Sequence, residues 1–520
     1  MHAGVKCLIP DNRIGSNNNY DEICNNFTET ELLQNENEAE NQVAKFKQSR
    51  GLLAQSLLTA IVTILTASAG MPIGYSAILL PQLKSVNGSL QIDDEMGSWI
   101  ASIHSAATPV GSLLSGVFMD YFGRKATLQL SCLPLIAGWV FITSSHNHTL
   151  ILVGRVLAGT AVGLIAAPCQ VYVAEVSDPK MRGMLSGIPF ASYAFGILLV
   201  YMLGTAAHWR IVAGLSVILP TLAILVFFFL PESPVWLVRK GQVEKASKAC
   251  YWLRGGNLPQ MKQEIEQLIK RAKEEKLHRE QHPQSTWRTF CTPQVLKPFM
   301  IVNIFGLFQS LCGVYLIVFY AVEIISTMGN EMNEFLAAVL TAGVRFVFTI
   351  VASILLAFVG RRTISLISAI GTSLTAFCLA LLLYSECYSK TYFVTVILLL
   401  YVATNTIGFL VLPGVLVGEL FPTKIRGLAG SLTFTNFNLT IFGVTKIFPY
   451  MKALLDIHGF FLLFGVFSFI ASIFLYLTLP ETKNKSLNEI EDYFLQENIL
   501  WITRKQSSNN SICIKKSSKV

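Results

Sequence analysis

Glu175-Val-Ser-Asp-Pro-Lys-Met-Arg182-Gly183 and Glu419-Leu-Phe-Pro-Thr-Lys-Ile-Arg426-Gly427 are two copies of one phrase, and each directly follows a long apolar run. Working outward from the two copies, such runs fall at about 52–80, 97–118, 127–145, 149–173, 184–206 and 211–230, then at 297–321, 335–358, 363–384, 392–417, 429–449 and 459–479. A run of roughly 20 nearly uncharged residues spans a hydrocarbon core of ~30 Å. The twelve runs divide six and six around a polar insert from Pro231 to about Gln294. Two further phrases repeat at matching places. Asp120-Tyr-Phe-Gly-Arg124-Lys125 follows the second run and Gly360-Arg361-Arg362 the eighth. Pro231-Glu232-Ser233-Pro234 closes the sixth and Pro480-Glu481-Thr482-Lys483 the twelfth. Three phrases repeated in register mark a duplicated six-helix unit.

Composition agrees. The 520 residues are 52% hydrophobic and only 14% charged, against about 25% charged in a soluble protein, and the mean hydropathy is +0.52. So little charge cannot cover a water-soluble surface. A soluble enzyme, a disordered chain and a disulfide scaffold are excluded; the 10 cysteines are scattered and read as small buried hydrophobes. The net charge of +8 belongs to the loops. Arg124, Lys125, Lys180, Arg182, Arg361, Arg362, Lys424 and Arg426 all fall on one side, which the positive-inside rule makes cytoplasmic, together with the linker and both termini. No basic patch interleaved with aromatics points to nucleic acid, and no HExxH or intramembrane Ser/His/Asp set points to an enzyme. The expected architecture is therefore an all-α integral membrane protein of twelve transmembrane helices. It has a disordered cytoplasmic tail (1–50), a six-helix bundle (51–230), a helical intracellular linker (231–294), a second bundle (295–479) and a cytoplasmic tail (480–520). Asn87-Gly-Ser lies in the first outer loop and is a usable glycosylation sequon.

The repeated phrases resemble those of the sugar porter branch of the major facilitator superfamily over residues 52–490, and Cys250-Tyr-Trp-Leu-Arg254-Gly255 resembles the WLRG stretch of the insect facilitated trehalose transporters. The resemblance implies the major facilitator fold and carriage of a sugar such as a hexose or trehalose by alternating access, across the plasma membrane. It implies no cofactor and no metal, with a small polar solute and the lipid bilayer as partners; a monomer is expected. It also implies a gate, in which Arg124 meets Glu175 and Arg361 meets Glu419, with Asp120, Arg182, Arg426, Glu232 and Glu481 joining. Such charges can pair across the two halves and hold one side shut. The pattern before Gly360 lacks its acidic residue, so the second gate is expected to be weaker than the first, where Asp120 stands.

The sugar-reading positions depart from the family. The seventh-helix pattern keeps Gln309 but has Ser310 and Tyr315 where Gln and Asn stand. The eighth-helix Asn is Arg345, the fifth-helix Gln is Phe190, and the tenth-helix Gly-Pro-x-Pro-Trp is Leu410-Val411-Leu412-Pro413-Gly414. The eleventh-helix Asn remains as Asn438, beside Leu439 in place of Trp. Gln309, Ser310, Tyr315, Arg345 and Asn438 are the candidate substrate residues. Two readings of Arg345 stay open: it pairs with Glu323 as a structural element, or it contacts a polar or anionic solute. Gln170, Asn303 and Asn405 read as interhelical glue, and His104 as a satisfied core histidine. The first run, Gly51 to Leu80, holds no Asp, Glu or His, which favours passive facilitation over proton coupling. The rival function is a transporter-like nutrient sensor, which would bind solute without moving it.

Overall fold

The computed structural model describes residues 18–84, 90–178, 182–281, 290, 292–327, 334–385, 391–422, 425–483, 490 and 493–494; the sequon at Asn87 lies outside them. Among the described residues every regular element is a helix. In hydrocarbon each backbone N–H and C=O must be satisfied inside its own segment, and a helix does this. The first half comprises α1 (Asn18–Lys84), α2 (Asp94–Phe122), α3 (Arg124–Thr143), α4 (His148–Val176), α5 (Arg182–Ala206) and a broken sixth passage, α6 (Trp209–Leu215) with α7 (Ile218–Phe227). The second has a seventh passage in three pieces, α11 (Pro293–Leu311), α12 (Leu316–Phe319) and α13 (Ala321–Thr327). It continues with α14 (Glu334–Phe358), α15 (Arg361–Tyr384), α16 (Thr391–Asn405), a π-turn (Thr406–Leu410), α17 (Leu412–Leu420), α18 (Arg426–Leu454) and α19 (Ile457–Thr478). Between the halves lie α8 (Pro234–Arg239), α9 (Val243–Leu253) and α10 (Leu258–Gln281).

Among the described residues, ten stretches are long and apolar enough to cross a membrane. The second and eleventh of the twelve passages are long enough but more polar. On α2 the buried residues include Ser98, Ser102, His104, Ser105, Thr108, Ser112 and Ser115, and α18 carries Asn436, Asn438 and Lys446. These two helices pack along each other, as do α5 and α14, and the two contacts form the seam between the halves. Polar surface that lipid would penalise is thus turned inward.

Within a half, small residues set the spacing. A Cβ on Gly163 of α4 would overlap the Thr108 carbonyl and press the Ser112 nitrogen at 2.7 Å, so α2 and α4 touch backbone to backbone. In the seventh passage Gly313 takes φ +74, and a Cβ there would meet the Phe464 ring. A left-handed residue ends a helix, which is why α11 stops and α12 restarts. In the tenth passage Pro413, which has no N–H to donate, is preceded by the π-turn.

One expectation is corrected. The tail placed as disordered through residue 50 is helical from Asn18, as an extension of α1. From Asn18 to Arg50 there is neither Gly nor Pro and many Glu, Gln, Lys, Leu and Ala, so nothing interrupts a helix that the membrane span nucleates. Of the C-terminal segment expected from 480, Ile490 and Phe494 are buried with the core of the second half.

The linker rests on the first half. Arg254, 4% exposed, donates to both Glu264 oxygens at 2.7 Å and to the Val176 carbonyl at 3.2 Å. Gln55 Nε2 donates to the Leu253 carbonyl at 3.3 Å while its Oε1 accepts from the Asp178 N–H at 2.8 Å. Burial pulls the Arg254 pKa down, but the hydrogen bond and charge of Glu264 more than offset this and leave it raised. The trehalose-transporter-like phrase thus supplies a clamp between α9, α10 and the end of α4.

Candidate functional site

Three sites answer to the sequence reading. The first lies where α2, α3, α4 and α8 end. Arg124 forks onto Glu175, Nε to Oε2 at 2.9 Å and Nη2 to Oε1 at 2.8 Å. Ser233 Oγ donates to the same carboxylate. Glu232 accepts the backbone N–H groups of Arg124 at 2.9 Å, Lys125 at 3.1 Å and Ser233 at 2.8 Å. Burial raises the Glu232 pKa, and these N–H donors work against that rise. The second site repeats the first: Arg361 Nη2 meets Glu419 Oε1 at 2.8 Å, Thr482 Oγ1 donates to Glu419 Oε2 at 2.6 Å, and Glu481 accepts the Arg361 N–H at 2.9 Å.

The pairs therefore form as the resemblance implies, but not across the halves. Arg124 and Glu175 both belong to the first bundle, and Arg361 and Glu419 both belong to the second. Each cluster binds the ends of helices of its own bundle. The expected role of Asp120 is also revised: its side chain is exposed, and its backbone carbonyl accepts from Trp236 Nε1 at 3.1 Å. The missing acidic residue in the second phrase thus removes nothing from the cluster geometry. The clusters differ in exposure instead, 6% and 15% for Arg124 and Glu175 against 19% and 26% for Arg361 and Glu419. Arg182 begins α5 and Arg426 begins α18, and their side chains lie outside the described residues.

Arg124→Ala is expected to lower the stability of the first bundle by about 1–3 kcal/mol, because Glu175 is left half-buried without its cation. Glu175→Gln, which keeps an acceptor for Ser233 and Arg124, should cost less. Thermal unfolding of the detergent-purified variants measures both, and equal midpoints for Arg124→Ala and the parent would refute the ranking.

The third site is central. A small void of about 10 Å³ is lined by Ile197 and Tyr201 of α5, Ile317 and Val318 of α12, Thr341, Ala342 and Arg345 of α14, and Val402 of α16. It sits on the seam, between α5 of the first half and α12, α14 and α16 of the second. Of the five candidate substrate residues, Arg345 lines it. Arg345 is 4% exposed, and Nη2 donates to the Val314 carbonyl at 2.9 Å, at the break in the seventh passage. The pairing with Glu323 does not occur: that carboxylate accepts from Lys452 at 2.8 Å and Lys84 at 3.4 Å. Gln309 reaches across to the Leu410 carbonyl at 3.3 Å. Ser310 and Asn438 bond carbonyls of their own helices, Gly306 at 3.2 Å and Phe434 at 2.8 Å. Tyr315 is the residue from which α12 starts, within electrostatic reach of Arg345. Asn303 accepts from Asn436 at 2.8 Å, a bond between α11 and α18, as expected of interhelical glue.

Comparison with known proteins names the family. The profile described as "Sugar (and other) transporter" matches residues 18–494. The chain belongs to the sugar (and other) transporter family. Among curated relatives, the facilitated trehalose transporter Tret1 of Culex quinquefasciatus is 32% identical over 460 residues, covering 87% of each chain. The protein of that name from Apis mellifera ligustica is 30% identical over 463 residues, covering 86% of this chain and 91% of the relative. Among solved structures, the inward-open xylose transporter XylE from E. coli superposes with a TM-score of 0.69 at 21% identity, over 84% of this chain and 99% of that one. The major facilitator fold of a multi-pass membrane protein is thereby established.

Within this transporter family's frame, two of the departures prove to be neighbours. A Cβ on Gly414 would lie 3.5 Å from Phe190 Cζ and 3.6 Å from its Cε1. The ring that replaces the fifth-helix Gln occupies space beside the glycine that replaces the tenth-helix Trp, from the opposite half. The sequence reading also missed one residue outright. Arg155 of α4 is fully buried. Its Nε donates to the Ile100 carbonyl at 3.0 Å, Nη2 to Ser76 Oγ at 2.5 Å and the Ala101 carbonyl at 3.4 Å, and Nη1 to the Pro72 carbonyl. The signal was present as a lone arginine inside an apolar run.

Proposed function

We propose that the protein is a facilitative carrier of a sugar or sugar-like solute. Its two bundles, each tied at one end by its own Arg–Glu cluster, rock as bodies around the Arg345 cavity. The observation that carries this reading is the placement of that small void on the seam, between helices of both halves and beside the buried Arg345, in a member of a sugar-transporter family. Trehalose is the leading solute by the curated relatives' names. Arg155 supports passive transport. Its partners are three carbonyls and the Ser76 hydroxyl, none of which takes up or releases a proton at physiological pH, and the first passage offers no carboxylate to pair with it. In this proposal Arg124, Glu175, Arg182, Glu232, Arg361, Glu419, Arg426 and Glu481 stiffen the gate end, which faces the cytoplasm with both termini. Asn87 would carry a glycan outside a plasma-membrane monomer. Gln309, Tyr315 and Arg345 contact solute when the cavity opens, with Ser310 and Asn438 released from their own helices to join.

A second reading, a polar or anionic solute, is favoured by Arg345, a buried cation that donates to the Val314 carbonyl. One experiment addresses both. Uptake of radiolabelled trehalose and glucose into proteoliposomes is expected to run to equilibrium and no further, with a protonophore without effect. Competition should show trehalose or a more polar sugar preferred over glucose, and Arg345→Asn should shift that order toward glucose. Accumulation above equilibrium that a protonophore abolishes would overturn the facilitator, binding without flux would establish the sensor, and an unchanged order in Arg345→Asn would make Arg345 structural.

A further inference from the structure

The polar contacts described between the halves gather from mid-span toward the end opposite the Arg124 and Arg361 clusters. Tyr201 of α5 donates to the Val318 carbonyl at 2.5 Å. Lys446 of α18 donates to Ser98 Oγ of α2 at 2.7 Å and lies 3.9 Å from the Trp99 ring centroid. At the rim, Lys84, the last residue of α1, is 3.4 Å from Glu323 Oε1 of α13 and 2.7 Å from Asp94 Oδ1 of α2. Glu323 also holds Lys452 of α18 at 2.8 Å. Glu323 sits on a short helix set off from α11 by the Gly313 break and from α12 by Tyr320, whose ring stacks on Phe448 of α18 at 4.2 Å.

We propose that Glu323 is the shared anion of an ionic latch that closes this end, with Lys84–Glu323 the bond that must part for it to open. The arrangement fits a contact made to be broken. When the halves separate, Lys84 keeps Asp94 and Glu323 keeps Lys452, so neither charge is left alone. The side chains of Lys84 and Glu323 are 31% and 19% exposed, a depth at which ion pairs are weak and reversible. Lys446 on Ser98 and Trp99 adds a second tie between the same two halves. The latch's place in a transport cycle rests on the carrier reading, but its existence does not, and the test avoids flux.

The probe is a membrane-impermeant maleimide added at the Lys84 end of the full chain in oriented vesicles. The reporter is Thr341→Cys, which lines the cavity, in a background where exposed Cys378 is replaced by serine. Labelling above the same background without the reporter is counted. Glu323→Gln and Lys84→Met are each expected to raise the labelling rate about two- to fivefold, the range a weak ion pair supplies. Asp94→Asn, which removes a pair made inside one half and leaves Lys84 to Glu323, should not raise it. Raising ionic strength should move the parent toward the Glu323→Gln rate and leave that variant little changed. Rates equal to the parent in both latch variants, with monodisperse gel filtration to show that they fold, would overturn the proposal, as would an equal rise in Asp94→Asn. Failure of the carrier reading shows instead as absent sugar flux, which this labelling does not report.

Discussion

Arg155→Ala is expected to be the most damaging single truncation in the first bundle, lowering its stability by about 2–5 kcal/mol. The side chain is fully buried and joins three helices: it stands on α4, reaches Pro72 and Ser76 of α1, and reaches Ile100 and Ala101 of α2. Truncation removes these bonds together and leaves a hole where a guanidinium stood, at a contact where backbones already approach as closely as glycine allows. Arg155→Lys should recover little, because one ammonium cannot present the planar fork that serves acceptors on two helices. The measurement is the thermal midpoint of purified protein, read beside the fraction that reaches the membrane. A midpoint for Arg155→Ala within the scatter of the parent would show that the acceptors are satisfied without it.

Most of the fold was legible because the membrane imposes it. Long apolar runs and three repeated phrases place every passage, and the Arg124–Glu175 and Arg361–Glu419 pairs fall where the phrases imply. What sequence did not show is which half a charge faces. Pairing across the halves was the simplest use for Arg and Glu at helix ends, yet both partners of each pair lie in one bundle, and an ion pair that does cross among the described residues is Lys84–Glu323. Glu323 was first weighed as a partner for Arg345 because both lie in neighbouring passages. The helix break at Gly313 instead carries Glu323 toward Lys452 and Lys84. The extension of α1 was hidden because polarity was read as disorder, although the stretch has strong helix formers and no breaker. Arg155 is not legible from the first passage, which holds no Asp, Glu or His, because it is a cation on the fourth that bonds into the first.

Phe190 and Gly414 show the same limit most clearly, since their substitutions look independent along the chain and meet in space. Gly414→Trp is therefore expected to impair the protein although it restores the family residue. A Cβ at 414 already lies 3.5 Å from Phe190 Cζ, an ordinary contact, but an indole beyond that Cβ competes with the phenyl ring for one volume on the seam. Overpacking of this kind costs about 1–3 kcal/mol, and here the cost falls on the closed arrangement of the two halves, because the ring and the glycine belong to different bundles. Transport should fall by roughly one order of magnitude or more at the upper part of that range. Phe190→Gln alone removes the ring and leaves a gap beside the glycine, so it should also slow the cycle. The double variant Phe190→Gln with Gly414→Trp restores large against small with the sides exchanged, and is expected to outperform Gly414→Trp. A coupling of 0.5–3 kcal/mol is the range for residues in contact. Initial uptake rates of the four proteins, corrected for the amount reconstituted, measure it. Strictly additive effects would show that the two departures arose and act separately, and that the aromatic ring from the first half does not fill the place the missing tryptophan left.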